Sequence, residues 1–201
     1  MRKIYIILTS TPTYLARMIR TYTKAQYSHS SIALDPELNQ MYSFGRLNAY
    51  IPFWGGFTRE SIDFGSFKRF KKSGVEVYSL TVTDEKYKEI KKTINKFKRN
   101  KKEYKFNIPG MFAVAFHKRI KFDDAFYCAE FVKYVLEDND IATGLPDTIS
   151  PEDFRNMEGL KLEYSGTLVD YVNIFRTNLN WFVLLCYTHF NEAILWYQNF
   201  Y

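Results

Sequence analysis

Two short runs hold the residues best suited to do chemistry. The first is Tyr27-Ser28-His29-Ser30-Ser31-Ile32-Ala33-Leu34-Asp35, and the second, about a hundred residues later, is Phe126-Tyr127-Cys128-Ala129-Glu130-Phe131-Val132. A thiol attacks as its anion, and a free cysteine near neutral pH is only a few per cent thiolate. A helix N-terminus favours that anion, with unpaired N–H groups and a dipole contributing about 0.3–1 kcal/mol, and a nearby imidazolium adds to this. A cysteine near a helix start and a histidine on a strand are therefore the two parts a cysteine hydrolase needs. Taken singly, each has a structural explanation: free cysteines are often buried as small apolar groups, and a histidine at a strand start is commonly only hydrogen-bonded.

The elements that must position them can be read along the chain. Lys3 to Leu8 reads as a strand and Tyr14 to Lys24 as a helix with Leu15, Met18 and Ile19 on one face. Ser30 to Asp35 and Gln40 to Phe44 read as a hairpin closed by a turn at Pro36 to Asn39. Gly45 to Gly65 carries Pro52, Trp54, Gly55 and Gly56 and reads as a long loop that could cover a cleft. Val75 to Val82 is a strand, after which Thr83 or Asp84 caps a helix with Tyr87, Ile90, Ile94 and Phe97 at helical spacing. Asp123 or Asp124 is expected to open the cysteine helix, which places Cys128 about one turn in. Ser150-Pro151-Glu152-Asp153 is a further helix start, with serine at the cap, proline at the first helical position and acids in the first turn.

The chain of 201 residues is 46% hydrophobic and 18% aromatic, which excludes a disordered chain and suits one domain. Two cysteines, Cys128 and Cys186, give neither a disulfide framework nor a repeated ligand spacing, so no zinc or other metal and no cofactor is expected. The net charge of +6 is concentrated between Lys86 and Lys105. Because apolar residues recur there at helical spacing, the lysines read as a solvated helix face, and nucleic acid is not expected as a partner. The short apolar run after Met1-Arg2-Lys3 reads as a first strand and not a signal peptide, so a cytoplasmic location is expected.

The two runs together resemble the permuted, papain-like branch of the NlpC superfamily, the YiiX/YebB-like cysteine hydrolases, in which histidine precedes cysteine along the chain. The resemblance covers roughly residues 1–172, including Tyr42-Ser43-Phe44-Gly45-Arg46, the Ser150-Pro151 helix start and Tyr164-Ser165-Gly166-Thr167-Leu168. It implies an α+β papain-like fold of the circularly permuted type, with a small antiparallel sheet packed against helices that include the cysteine helix. It further implies Cys128 as nucleophile, His29 as general base and an acyl-enzyme formed from an amide, ester or thioester, the substrate being a peptide or an acyl-lipid amide. A third polar residue would orient the imidazole from the neighbouring strand. Alignment places Ser43 there, with Tyr42 or Gln40 if the register shifts. A neutral hydroxyl stabilises imidazolium less than a carboxylate does, so a silent binding module on the same fold is the alternative function.

The backbone N–H of Cys128 is expected in the oxyanion site. Glu130, two positions past the thiol, reads as structural, while Arg46 and Arg59 are candidates to hold an anionic substrate group. Residues 173–201 fall outside the resemblance. Their aromatic, nearly uncharged sequence is broken by Asn178, Asn180, His189, Asn191 and Glu192, so it reads as a helix packed on the domain or a second subunit. Peripheral membrane contact through this tail is the other expectation, and an oligomer is compatible with it.

Overall fold

In a computed structural model, residues 1–10, 12, 25–48, 54–116 and 118–176 are described. The helix expected over 14–24 and most of the tail, with Cys186, lie outside the described residues.

Among the described residues, eight strands form in chain order: β1 (Arg2–Ser10), β2 (His29–Ala33), β3 (Met41–Arg46), β4 (Gly55–Glu60), β5 (Gly74–Val82), β6 (Lys105–Phe106), β7 (Ala125–Phe126) and β8 (Lys161–Thr167). Six build one antiparallel sheet in the order β4-β3-β2-β1-β5-β8, while β6 and β7 pair in parallel beside it. The chain is thus α+β with a mainly antiparallel sheet, and β2 and β3 form the expected hairpin.

Three strands correct the sequence reading. Residues 55–60 are not loop but strand β4, paired along its whole length with β3. One of the two glycines that argued against a strand has a steric purpose: a Cβ at Gly55 would come within 2.7 Å of the Phe106 ring, so its absence lets β6 pack close. The charged sequence of β8 sits at the sheet edge with most side chains exposed, and so gives no buried alternation to read. Finally, β7 occupies the place assigned to the first turn of the cysteine helix.

Among the described residues, the helices that accompany the sheet include α1 (Gly65–Arg69), α2 (Asp84–Arg99), α3 (Ile108–Ala113) and α4 (Cys128–Glu137). Residues 151–156 form a 3-10 helix with Pro151 at its start and Ser150 N–H donating to Asp153 (2.7 Å), and residues 168–176 are helical. In α2 the Thr83 hydroxyl accepts from Lys86 N–H (3.2 Å), Asp84 and Glu85 sit in the first turn, and Lys96, Lys98 and Arg99 in the last, all of which suit the helix dipole. Tyr87, Ile90, Ile94 and Phe97 are buried and the lysine face is solvated, as its periodicity predicts.

Strand alternation divides the core between the two sheet faces. Ile4, Ile6, Leu8, Ile32, Phe44 and Phe57 meet α2 and α4 on one face. Tyr5, Ile7, Ala33, Met41, Val75 and Val77 meet Phe67 of α1 and Leu168, Tyr171 and Val172 on the other. Phe97 joins the layers, its ring lying 5.1–5.9 Å from the rings of Phe44, Phe57, Phe126, Phe131 and Tyr134. Among the described residues, no helix is long and apolar enough to cross a membrane.

Candidate active site

Cys128 is the first residue of α4, not one turn in as the aspartates at 123 and 124 suggested. The cap is Tyr127, whose own N–H donates to Glu130 Oε2 (3.2 Å). This is the structural purpose expected of Glu130: it serves a helix-end donor and also accepts from Asn107 Nδ2 (3.1 Å). The Tyr127 hydroxyl, anchored on Ile149 O (2.7 Å), fixes the residue before the thiol. As a first-turn residue Cys128 has no intrahelical acceptor for its N–H, which leaves that donor beside the sulfur.

Across from it lies the start of β2. Here the β2–β3 ladder has opened: Ile32 and Ala33 pair with Tyr42 and Met41, whereas Ser43 to Arg46 continue in register with β4 only. Ser43, fully buried, donates its hydroxyl to Ser30 O (2.7 Å) and satisfies an acceptor that the parted strands leave unpaired. Two consecutive residues of this strand end, His29 and Ser30, favour the anion of the Cys128 sulfur electrostatically.

The partner of the imidazole is Glu60, not Ser43. His29 Nε2 lies 2.9 Å from Glu60 Oε1, with the side chains 17% and 11% exposed. The second carboxylate oxygen accepts from Ser31 Oγ at 2.5 Å, so both oxygens of Glu60 are held by β2. A Cβ at Gly45 would sit 3.2 Å from Glu60 Oε1 and 3.3 Å from His29 Cε1, so a glycine between the strands makes room for the pair. The register alternatives are also otherwise engaged: the Tyr42 ring stacks on Phe57 in the core, and Gln40 is bound to Asp35 at the turn.

These contacts set the charges. Burial pulls the His29 imidazole toward neutrality, but the carboxylate of Glu60 and the sulfur of Cys128 outweigh it and push its pKa up to about 10. Burial likewise opposes a Cys128 anion, and hydrogen bonding and charge from His29, with the Ser30 donors, bring the thiol below its ordinary value. Both shifts favour a thiolate–imidazolium pair near neutral pH, backed by a carboxylate.

Of the two arginines, Arg59 is used structurally, its guanidinium donating to Asn39 O at 3.0 and 2.7 Å. Arg46 stays close to the site, where burial and the neighbouring Arg69 lower its pKa against the pull of Glu60. Among the described residues, no group of three or more His, Cys, Asp or Glu side chains is arranged to hold a metal ion.

The two hydrogen-bonding residues should separate cleanly by mutation. Glu60→Gln removes the charge that sustains the imidazolium, so the acid limb of Cys128 reactivity should move to higher pH. Ser43→Ala should leave that limb in place and cost about 1–2 kcal/mol of stability in urea unfolding, because Ser30 O loses its donor. The opposite pattern would return the orienting role to Ser43.

No protein-family model and no curated protein matches the chain. Among solved structures, it is similar to the crystal structure of metalloprotein yiiX from Escherichia coli O157:H7, DUF1105, with 14% identity and a TM-score of 0.48. That likeness spans 82% of this chain and 97% of the other.

Proposed function

We propose that the chain is a cysteine hydrolase or acyltransferase of the permuted NlpC type, working through an acyl-enzyme on Cys128. The observation that carries this reading is the buried pair of His29 and Glu60, 2.9 Å apart, at the strand end that packs beside the helix opened by Cys128. With Nε2 taken by Glu60, Nδ1 is the nitrogen left to exchange a proton with the substrate side.

The thiolate attacks the carbonyl carbon of an amide, ester or thioester, and the resulting oxyanion forms beside the N–H of Cys128. Collapse breaks the bond to the leaving group, which departs with the proton of the His29 imidazolium. Water or another acceptor then gives its proton to His29 and attacks the acyl carbon, and cleavage of the C–S bond releases product and restores the thiolate–imidazolium pair. Glu60 takes no part in the proton transfers; it orients the ring and stabilises imidazolium. A carboxylate stands where a neutral hydroxyl was expected, which supports the catalytic reading over that of a silent binding module.

The intermediate can be trapped. Exposure to p-nitrophenyl acetate should release a burst of about one p-nitrophenolate per chain and leave an acetyl group on Cys128, detected by peptide mass spectrometry. Cys128→Ser should lose both. Acetylation elsewhere with no burst would count against the acyl-enzyme.

A further inference from the structure

His29 stands where the ladder between β2 and β3 has opened, so among the described strands that end of β2 is paired with β1 alone, Thr9 lying against His29. The chain ahead of it is held by a side chain from far along the sequence. Gln26 and Tyr27, just before the strand, both donate their backbone N–H to Glu152 Oε2, at 3.0 and 3.1 Å. Two amides on one carboxylate oxygen satisfy donors that no ladder takes up and fix where the chain enters β2.

Glu152 is itself held in place. Arg155 Nη1 donates to Glu152 Oε1 (2.6 Å), and its Nε and Nη2 reach the two oxygens of Glu76 on β5 at 3.2 and 3.3 Å. Glu76 is buried and also accepts from the Tyr78 hydroxyl (2.7 Å), so the guanidinium is docked on a carboxylate fixed in the sheet. The same guanidinium lies over the Tyr27 ring, 5.9 Å from its centre.

The other end of this segment reaches the thiol. Ile149 O accepts the Tyr127 hydroxyl (2.7 Å), and Tyr127 caps the helix that Cys128 opens. Between the two anchors the chain is stiff: Ser150 N–H and Oγ both donate to Asp153 Oδ2 (2.7 Å each), Pro151 starts the 3-10 helix, and Phe154 is fully buried in the core. One short segment therefore grips the residue before the nucleophile and the residues before the base.

We propose that residues 149–155 are a clamp across the site, with Glu152 as a positioning residue: they hold the backbone ahead of His29 and the cap of the Cys128 helix at a fixed separation. The inference rests on the reading of Cys128 and His29 as one reacting pair. Glu60 turns the imidazole from the β4 side, whereas Glu152 sets the backbone from which the ring hangs. Such control matters because a misplacement of about 1 Å is enough to cost about a hundredfold in rate.

Alkylation of Cys128 by iodoacetamide is followed against pH in the full-length parent, in Glu152→Ala, in Tyr127→Phe and in the double variant, with thermal unfolding to verify that each is folded at the assay temperature. At about pH 5.5 Glu152→Ala should react at least about threefold more slowly than the parent, its acid limb moved toward that of His29→Ala. Tyr127→Phe should move the limb in the same direction. Because both anchors serve one clamp, the double variant should be no more than about twofold slower than the slower single variant. A merely structural role would lower the unfolding temperature and leave the limb where the parent has it, as for Ser43→Ala; that result, or losses that multiply in the double variant, would overturn the proposal. If Glu152→Ala does not fold, Tyr127→Phe decides alone, and an unmoved limb overturns the clamp. A parent limb that coincides with that of His29→Ala removes the reacting pair and the clamp together, whereas a lowered parent limb that neither variant moves removes the clamp and leaves the pair.

Discussion

At about pH 5.5 the His29→Ala variant is expected to react with iodoacetamide at Cys128 at least about tenfold more slowly than the parent chain. A free cysteine, with a pKa near 8.5, is only about one part in a thousand thiolate at that pH. In the parent, His29, kept protonated by Glu60, holds the sulfur as an anion to lower pH. Removing the ring also leaves burial opposed by Ser30 without His29 at a residue 7% exposed, which pushes the thiol up. The gain is partly offset because a low-pKa thiolate is intrinsically less nucleophilic, with a Brønsted slope of about 0.4–0.5. For this reason the contrast should be large in mild acid and small near pH 8. In acyl transfer, where His29 also moves protons, the loss should reach about 10²–10⁴. Peptide-resolved mass spectrometry separates Cys128 from Cys186, and equal rates in the two chains at acid pH would remove the ion pair.

The largest effect on stability is expected at Phe97. Its side chain is 1% exposed and meets rings from β3, β4, β7 and α4. Phe97→Ala should cost about 3–5 kcal/mol, from lost transfer energy and the cavity left between α2, α4 and the sheet. Against a typical domain stability of about 5–15 kcal/mol, that is enough to leave the variant marginal at 37 °C. Urea unfolding should show a lower midpoint with an unchanged slope. A cost below about 1 kcal/mol would mean that the ring cluster does not join the layers as described.

The two residues at the centre of the site were legible because each sits in a run with its own local signal. His29 opens a strand with an apolar alternation, and Cys128 opens a helix whose buried stripe of Phe131, Val132, Val135 and Leu136 is plain. Glu60 was not legible. It reaches the imidazole only because β4 pairs with β3, and β4 begins with two glycines and has Phe57 as its one large buried side chain, so its own residues look like loop. A usable trace was there in the alternation itself: Thr58 and Glu60 share a face with Ser43 and Met41, and Phe57 and Arg59 share the other. Ser43 was drawn to the right place for a different purpose, since it mends the opened ladder beside His29. The start of the cysteine helix was misplaced because Asp123 and Asp124 look like caps, whereas the cap is made by Glu130 reaching back from inside the helix. Long-range pairing decided each of these cases, and pairing between distant strands is what local periodicity does not carry.

The claim on which the rest depends is that the Cys128 sulfur is an anion stabilised by a His29 imidazolium near neutral pH. The most direct measurement is the rate of Cys128 alkylation in the parent chain, followed from about pH 4 to about pH 10. The sign of the two shifts requires an acid limb below that of an ordinary cysteine, and a further change only as His29 loses its proton near pH 10. A single titration at or above about pH 8.5, the same as in His29→Ala, would contradict it.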